Sequence, residues 1–141
     1  MGKLDGKVAL VTGGNRGIGK AIARALAAEG AALTLAARGA DALAETAREI
    51  AAEFSVEVLD VPTNVADEAQ VEALFAHAQE RHGRLDILIN NAGAFDGGPI
   101  EDITMEAWDN VVGACLTGPF LCTRAAFRTM QDTCSRPARR G

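Results

Sequence analysis

Residues 12–19 read TGGNRGIG, with glycines at 13, 17 and 19 in a G-x-x-x-G-x-G spacing rather than the G-x-G-x-x-G form. Such a loop does its chemistry with backbone. Gly13 permits a tight turn, Gly17 lets the chain approach a pyrophosphate, and Gly19 lets the following helix pack closely on a sheet. The helix start offers free N–H groups and a partial positive charge to phosphate. Gly14, Asn15, Arg16 and Ile18 complete the candidate segment. The plain alternative is a structural glycine turn, but the place between a strand and a helix favours a dinucleotide. Residues 36–38 (Ala-Ala-Arg) close the next strand-like run without a carboxylate. A carboxylate there would accept from a ribose 2′-OH and repel a 2′-phosphate. Arg38 can instead grip a 2′-phosphate in two hydrogen bonds, with Arg16 as a second contact. The expected cofactor is NADP(H), with NAD(H) less favoured; the plain alternative for Arg38 is a solvated strand end.

Elements able to position these residues alternate along the chain. Apolar runs at 7–12, 31–37, 56–61 and 85–90 have strand length. Between them, Ile18, Ile22, Ala25 and Leu26 share one helical face, as do Leu43, Ala47 and Ile50, and then Val71, Leu74, Phe75 and Ala78. Gly30 suits the position just past a helix end. Asp67 with Gln70 three residues on suits a capping box. This βαβαβαβ order predicts an α/β, Rossmann-like parallel sheet, strand order 3-2-1-4, with helices on both faces. The ligand crevice belongs at the carboxyl ends of strands 1 and 4. A helical segment over about 104–130 follows, interrupted by Gly113, Gly118 and Pro119. Pro119 has no N–H for the carbonyl of Cys115, which predicts a local kink.

With both motifs in view, TGGNRGIG at 12–19 and NNAG at 90–93 resemble the paired signatures of the short-chain dehydrogenase/reductase family, over about residues 7–130. The nearest resemblance inside it is to NADP-dependent reductases of the 3-oxoacyl-carrier-protein reductase kind. The resemblance implies that Asn64 and Val65 contact adenine, with Asp60 a competing candidate of poorer spacing. It implies that Asn90, Asn91, Ala92 and Gly93 support the sheet and lie along the cofactor's ribose. It also places Cys115 where the family carries a catalytic Asn. That departure leaves only a backbone role at this position, and Cys115 reads as a small buried helix residue. The segment over 104–130 is similar to one used for dimerisation, which implies a homo-oligomer.

A hydride-transfer enzyme must also protonate an alkoxide. The family does this with Ser, Tyr and Lys. This chain of 141 residues has no Tyr and no Lys after Lys20, and its only serines are Ser55 and Ser135. No catalytic residue can be assigned. The expectation is the cofactor-binding part of an oxidoreductase, residues 1–130, C-terminally truncated and inactive alone. Residues 131–141, with three Arg against one Asp, read as a disordered, aberrant tail such as a frameshift would leave. The alternatives are a non-catalytic NADP-binding or regulatory module and a non-functional product.

Composition narrows the partners. Net charge is −5, which argues against nucleic acid. No apolar stretch suits a membrane span and no signal peptide is evident. The three cysteines lack metal-ligand spacing and read as free thiols, so the expected location is cytoplasmic. His77 and His82 read as solvated. Without strands beyond the fourth, its edge and the apolar residues Val111, Val112, Leu116 and Phe120 should be exposed, giving marginal stability or self-association.

Overall fold

The computed structural model describes residues 2–135. Four parallel strands form one sheet in the order β3-β2-β1-β4. They are β1 (Val8–Thr12), β2 (Ala32–Ala37), β3 (Val58–Pro62) and β4 (Ile87–Ile89). Helices α1 (Gly17–Ala28), α2 (Ala40–Phe54) and α3 (Glu68–His82) form the crossovers. The fold is the Rossmann-like one expected. Side chains alternate along β1, so Ala9 and Val11 enter the core under α1 and α2, while Leu10 enters the core under α3.

The ends of the elements follow local rules. Gly30 (φ +93°) stops α1; its N–H donates to Ala27 O, and that of Ala31 donates to Leu26 O. Asp67 caps α3 by accepting from the Gln70 N–H at 3.1 Å. The capping box is only half formed, because the Gln70 side chain accepts from the Asn64 N–H instead, at 2.8 Å. β3 starts two residues later than the apolar run suggests, and β4 has three residues rather than six. Pairing decides both: β4 has β1 on one side and no strand among the described residues on the other.

Several expectations about individual residues are corrected. The buried stripe of α1 is Gly19, Ala23 and Ala27, not the larger residues beginning at Ile18, which is 75% exposed. Close approach at Gly19 leaves room for small side chains only. His82 is not solvated: its side chain is 1% exposed, with Nε2 3.2 Å from Leu33 O. Burial pushes its pKa below the usual histidine value, against the opposing pull of Glu57. His77 is exposed, as expected. Cys115 is taken up with the site below.

The segment after β4 holds a short 3₁₀ turn (Ile100–Asp102), then α4 (Met105–Val112), a π-helical stretch (Gly113–Thr117) and α5 (Gly118–Ser135). The kink therefore takes a defined form. Pro119 has no N–H to offer, and in the turn before it the Gly118 N–H reaches back five residues, to Gly113 O. Leu121, Cys122, Ala125 and Ala126 of α5 pack beside α3, joined outside by an Arg124–Glu68 ion pair at 2.5 Å. Helix α5 continues through residues 131–135, where the sequence suggests no helix. The rest of the expected tail lies outside the described residues. Leu116 and Phe120 are exposed (68% and 58%), while Val111 and Val112 are half-buried.

Candidate functional site

β1 ends at Thr12, and its side chain ties two motifs together. Thr12 Oγ1 accepts from the N–H groups of Asn91 (3.1 Å) and Ala92 (3.0 Å). Asn91 Nδ2 in turn donates to Gly13 O at 3.2 Å. The glycine loop and the NNAG segment are thus one hydrogen-bonded unit, although about 80 residues separate them in sequence. Thr46 of α2 supports the loop from the other side, donating to Asn15 O at 3.3 Å.

The glycines divide their work as their positions suggest. Gly13 (φ +66°) makes the turn, and a Cβ there would stand 2.8 Å from Asn91 Nδ2. A Cβ on Gly19 would stand 2.1 Å from Gly13 O, so only glycine lets α1 dock there. Gly17 (φ +53°) would point a Cβ into open space. Gly14 is packed against Leu35. Of the candidate loop residues, Gly14 and Gly19 do not face the crevice; they hold its floor.

The crevice is a cavity of about 770 Å³ at the carboxyl ends of the strands. It brings together Gly13, Asn15, Arg16, Gly17 and Ile18 with Arg38 after β2, Asn64 and Val65 after β3, and Asn91, Ala92 and Gly93 after β4. Asp60 does not reach it; that side chain lines a separate hollow with Leu59, His77 and Arg81. Asn90 points away and donates to Thr123 Oγ1 at 3.0 Å. The loop after β3 is held by Gln70, which takes the Asn64 N–H, and by Asn64 Oδ1, which takes the Ala66 N–H at 3.1 Å.

Cys115 is exposed rather than buried, and its thiol donates to Ala94 O at 3.5 Å. Its sulfur would also stand 3.6 Å from a Cβ on Gly93, so the π-helical stretch meets the segment that follows β4 here. Cys122 is the buried thiol, and burial pushes its pKa up to about 11. Sequence reasoning missed Asp109, Asn110 and Ala114, which line the cavity from α4 and the stretch after it. Their spacing of four and five residues was the available signal.

The sequence model of the family described as short chain dehydrogenase matches residues 7–137, seven residues beyond the expected limit. The chain belongs to the short chain dehydrogenase family. Among curated members, a hexahydro-indene-carboxyl-CoA reductase of Mycobacterium tuberculosis is 43% identical over 132 residues, which are 93% of this chain and 50% of that protein. The sorbitol dehydrogenase of Cereibacter sphaeroides is 39% identical over 128 residues, 91% of this chain and 48% of that one. The solved L-sorbose reductase of Gluconobacter frateurii, complexed with NADPH and L-sorbose, superposes with a TM-score of 0.89 at 36% identity, over 94% of this chain and 50% of that one. An alcohol dehydrogenase of Thermococcus sibiricus, complexed with 5-hydroxy-NADP, gives 0.86 at 36% identity, over 90% of this chain and 54% of that one. The chain spans about half the length of the curated relatives it matches. Among its described residues, no helix is long and apolar enough to cross a membrane.

Proposed function

We propose that this chain is the NADP(H)-binding portion of an oxidoreductase that moves hydride between a nicotinamide and a carbonyl or alcohol. The observation that carries this reading is the single cavity joining the glycine loop to two arginines, Arg16 and Arg38, with no acid at the end of β2. The residues fit such a group. Gly17 leaves open space where a side chain would stand, and the cavity volume suits a ligand of this size. Solved relatives that hold NADPH or 5-hydroxy-NADP support the assignment.

When bound, the nicotinamide supplies or accepts the hydride. The chain's own residues bind and orient. The loop and the start of α1 present N–H groups to the pyrophosphate. Arg38 and Arg16 neutralise a 2′-phosphate. Asn91, Ala92 and Gly93, fixed through Thr12, form the wall for the nicotinamide ribose. No residue of this chain is proposed to protonate an alkoxide: Tyr is absent, Ser55 ends α2, and Ser135 ends α5. The chain alone is therefore proposed to bind without turnover.

Titration of the purified chain with NADPH and NADH, read by nicotinamide fluorescence, tests this. Tighter binding of NADPH is expected, and Arg38→Glu should abolish that preference. Equal binding of both by the wild type would refute the Arg38 assignment. Carbonyl reduction by the mass-verified chain would refute the proposal of binding without turnover.

A further inference from the structure

Helix α2 carries one hydroxyl in an otherwise apolar stripe. Its buried face is Leu43, Thr46, Ala47 and Ile50, and Thr46 is 3% exposed. A threonine inside a helix often returns its proton to the carbonyl four residues back. Thr129 and Thr133 of α5 do so, to Ala125 O and Thr129 O. Thr46 instead donates across to Asn15 O, in the glycine loop. Arg16, the next residue of that loop, is the N-cap of α1, with an extended backbone and no side-chain hydrogen bond capping the helix. Two exposed ion pairs, Lys20–Glu49 at 2.8 Å and Arg24–Glu53 at 2.6 Å, also join α1 to α2. Of these three ties, only that of Thr46 reaches a residue lining the cavity.

The same helix leads back to Arg38. It starts at Ala40, two residues after Arg38, and Thr46 follows six residues on, about 9 Å along the axis. One rigid stretch of helix therefore links the backbone carrying Arg38 to the peptide that precedes Arg16. That peptide is planar, so holding Asn15 O against α2 also sets the direction of the Arg16 N–H. Arg16 and Arg38 line one cavity, and a 2′-phosphate gripped by both needs their spacing to hold.

We infer that Thr46 is a positioning residue for cofactor choice: by holding Asn15 O it keeps Arg16 at a fixed spacing from Arg38, so that both reach one 2′-phosphate. This role rests on the cavity being an NADP(H) site. NADH lacks that phosphate, so a loosened Arg16 weakens NADPH and spares NADH.

Fluorescence titration gives the ratio of the NADH and NADPH dissociation constants for the wild type, Thr46→Val, Thr46→Ser, Arg16→Ala and the Thr46→Val, Arg16→Ala double variant. Valine keeps the shape of threonine and removes the proton. A melt shows that each variant is folded, and Thr46→Ala, read the same way, stands in should the valine variant not fold. Thr46→Val should lower the preference for NADPH about fivefold, the worth of one hydrogen bond. Thr46→Ser keeps the hydroxyl and should keep the preference. In the Arg16→Ala background, Thr46→Val should move the ratio by less than about twofold. A merely structural role would weaken both cofactors alike, or lower the melting point with the ratio unmoved, and either result overturns the inference. So does a Thr46→Val effect of equal size with and without Arg16. In these cases the NADP(H) site still stands. A wild type that binds both cofactors alike, or neither, overturns the reading of the site and the inference together.

Discussion

Gly19→Ala puts the docking of α1 to a direct test. The added methyl would stand 2.1 Å from Gly13 O and 2.3 Å from Asn91 Nδ2, distances no contact tolerates. Helix α1 must then move away from β1. Overpacking of this kind costs about 1–3 kcal/mol. The Asn91 to Gly13 hydrogen bond breaks as well, for about 1 kcal/mol more. At about 2–4 °C per kcal/mol for a domain near this size, the melting midpoint should drop by about 5–15 °C. Gly17→Ala is the matched control. Its φ is +53° and its Cβ meets nothing, so only a left-handed backbone cost of about 1–2 kcal/mol applies. That methyl instead enters the space assigned to pyrophosphate, and NADPH affinity should fall at least about tenfold. Calorimetric melts and NADPH titrations of both variants separate the roles. If Gly19→Ala melts like the wild type, or Gly17→Ala binds like it, the division of labour among these glycines is wrong.

Other outcomes follow from the same structure. His82 is held neutral, so its contribution is complete above pH 6.5 and is lost as the pH falls through its depressed folded value; His82→Gln should flatten the urea midpoint between pH 7 and pH 5, and an unchanged slope would refute this. Asp86 accepts from Val8 N and from both arms of Arg84; burial raises its pKa, and these bonds outweigh that and leave it below the usual carboxylate range. Asp86→Ala should cost about 2–3 kcal/mol by urea unfolding, and a loss under half that would show the clamp to be incidental. An aromatic disulfide reagent should find Cys115 and Cys134 in the folded protein and Cys122 only after unfolding; three fast thiols would contradict the described packing. The exposed Trp108, Leu116, Phe120 and Phe127 should drive self-association, seen as a scattering mass that climbs from 14.7 kDa with concentration; a constant monomer mass would refute it.

The sheet and its order were legible because each strand was an apolar run and each crossover helix carried a periodic face. Where the sequence misled, a partner elsewhere made the decision. Small residues line the inner face of α1 because Gly19 brings it onto the sheet, and no apolar count ranks Ala23 above Ile22. His82 lies four residues past Ala78 on the buried face of α3, a continuation that its polarity concealed. Gln70 looked like half of a capping box, yet it reaches the loop after β3 and fixes part of the site. The length of β4 depended on its neighbours in the sheet. The glycine loop, Arg38 and NNAG were readable from local motifs. Asp109 was not, since nothing in a helical sequence says which cavity it will line.

The cavity's lining runs from Gly13 to Ala114 and draws nothing from α5. On a translating ribosome, its walls are therefore all synthesised before the 18 residues of that helix. At about 5–20 residues per second, that interval lasts about one to four seconds. A ligand that fits these walls stabilises the sheet by mass action without drawing on any residue of α5. The cellular level of the ligand would then govern how much chain matures as well as how much is occupied.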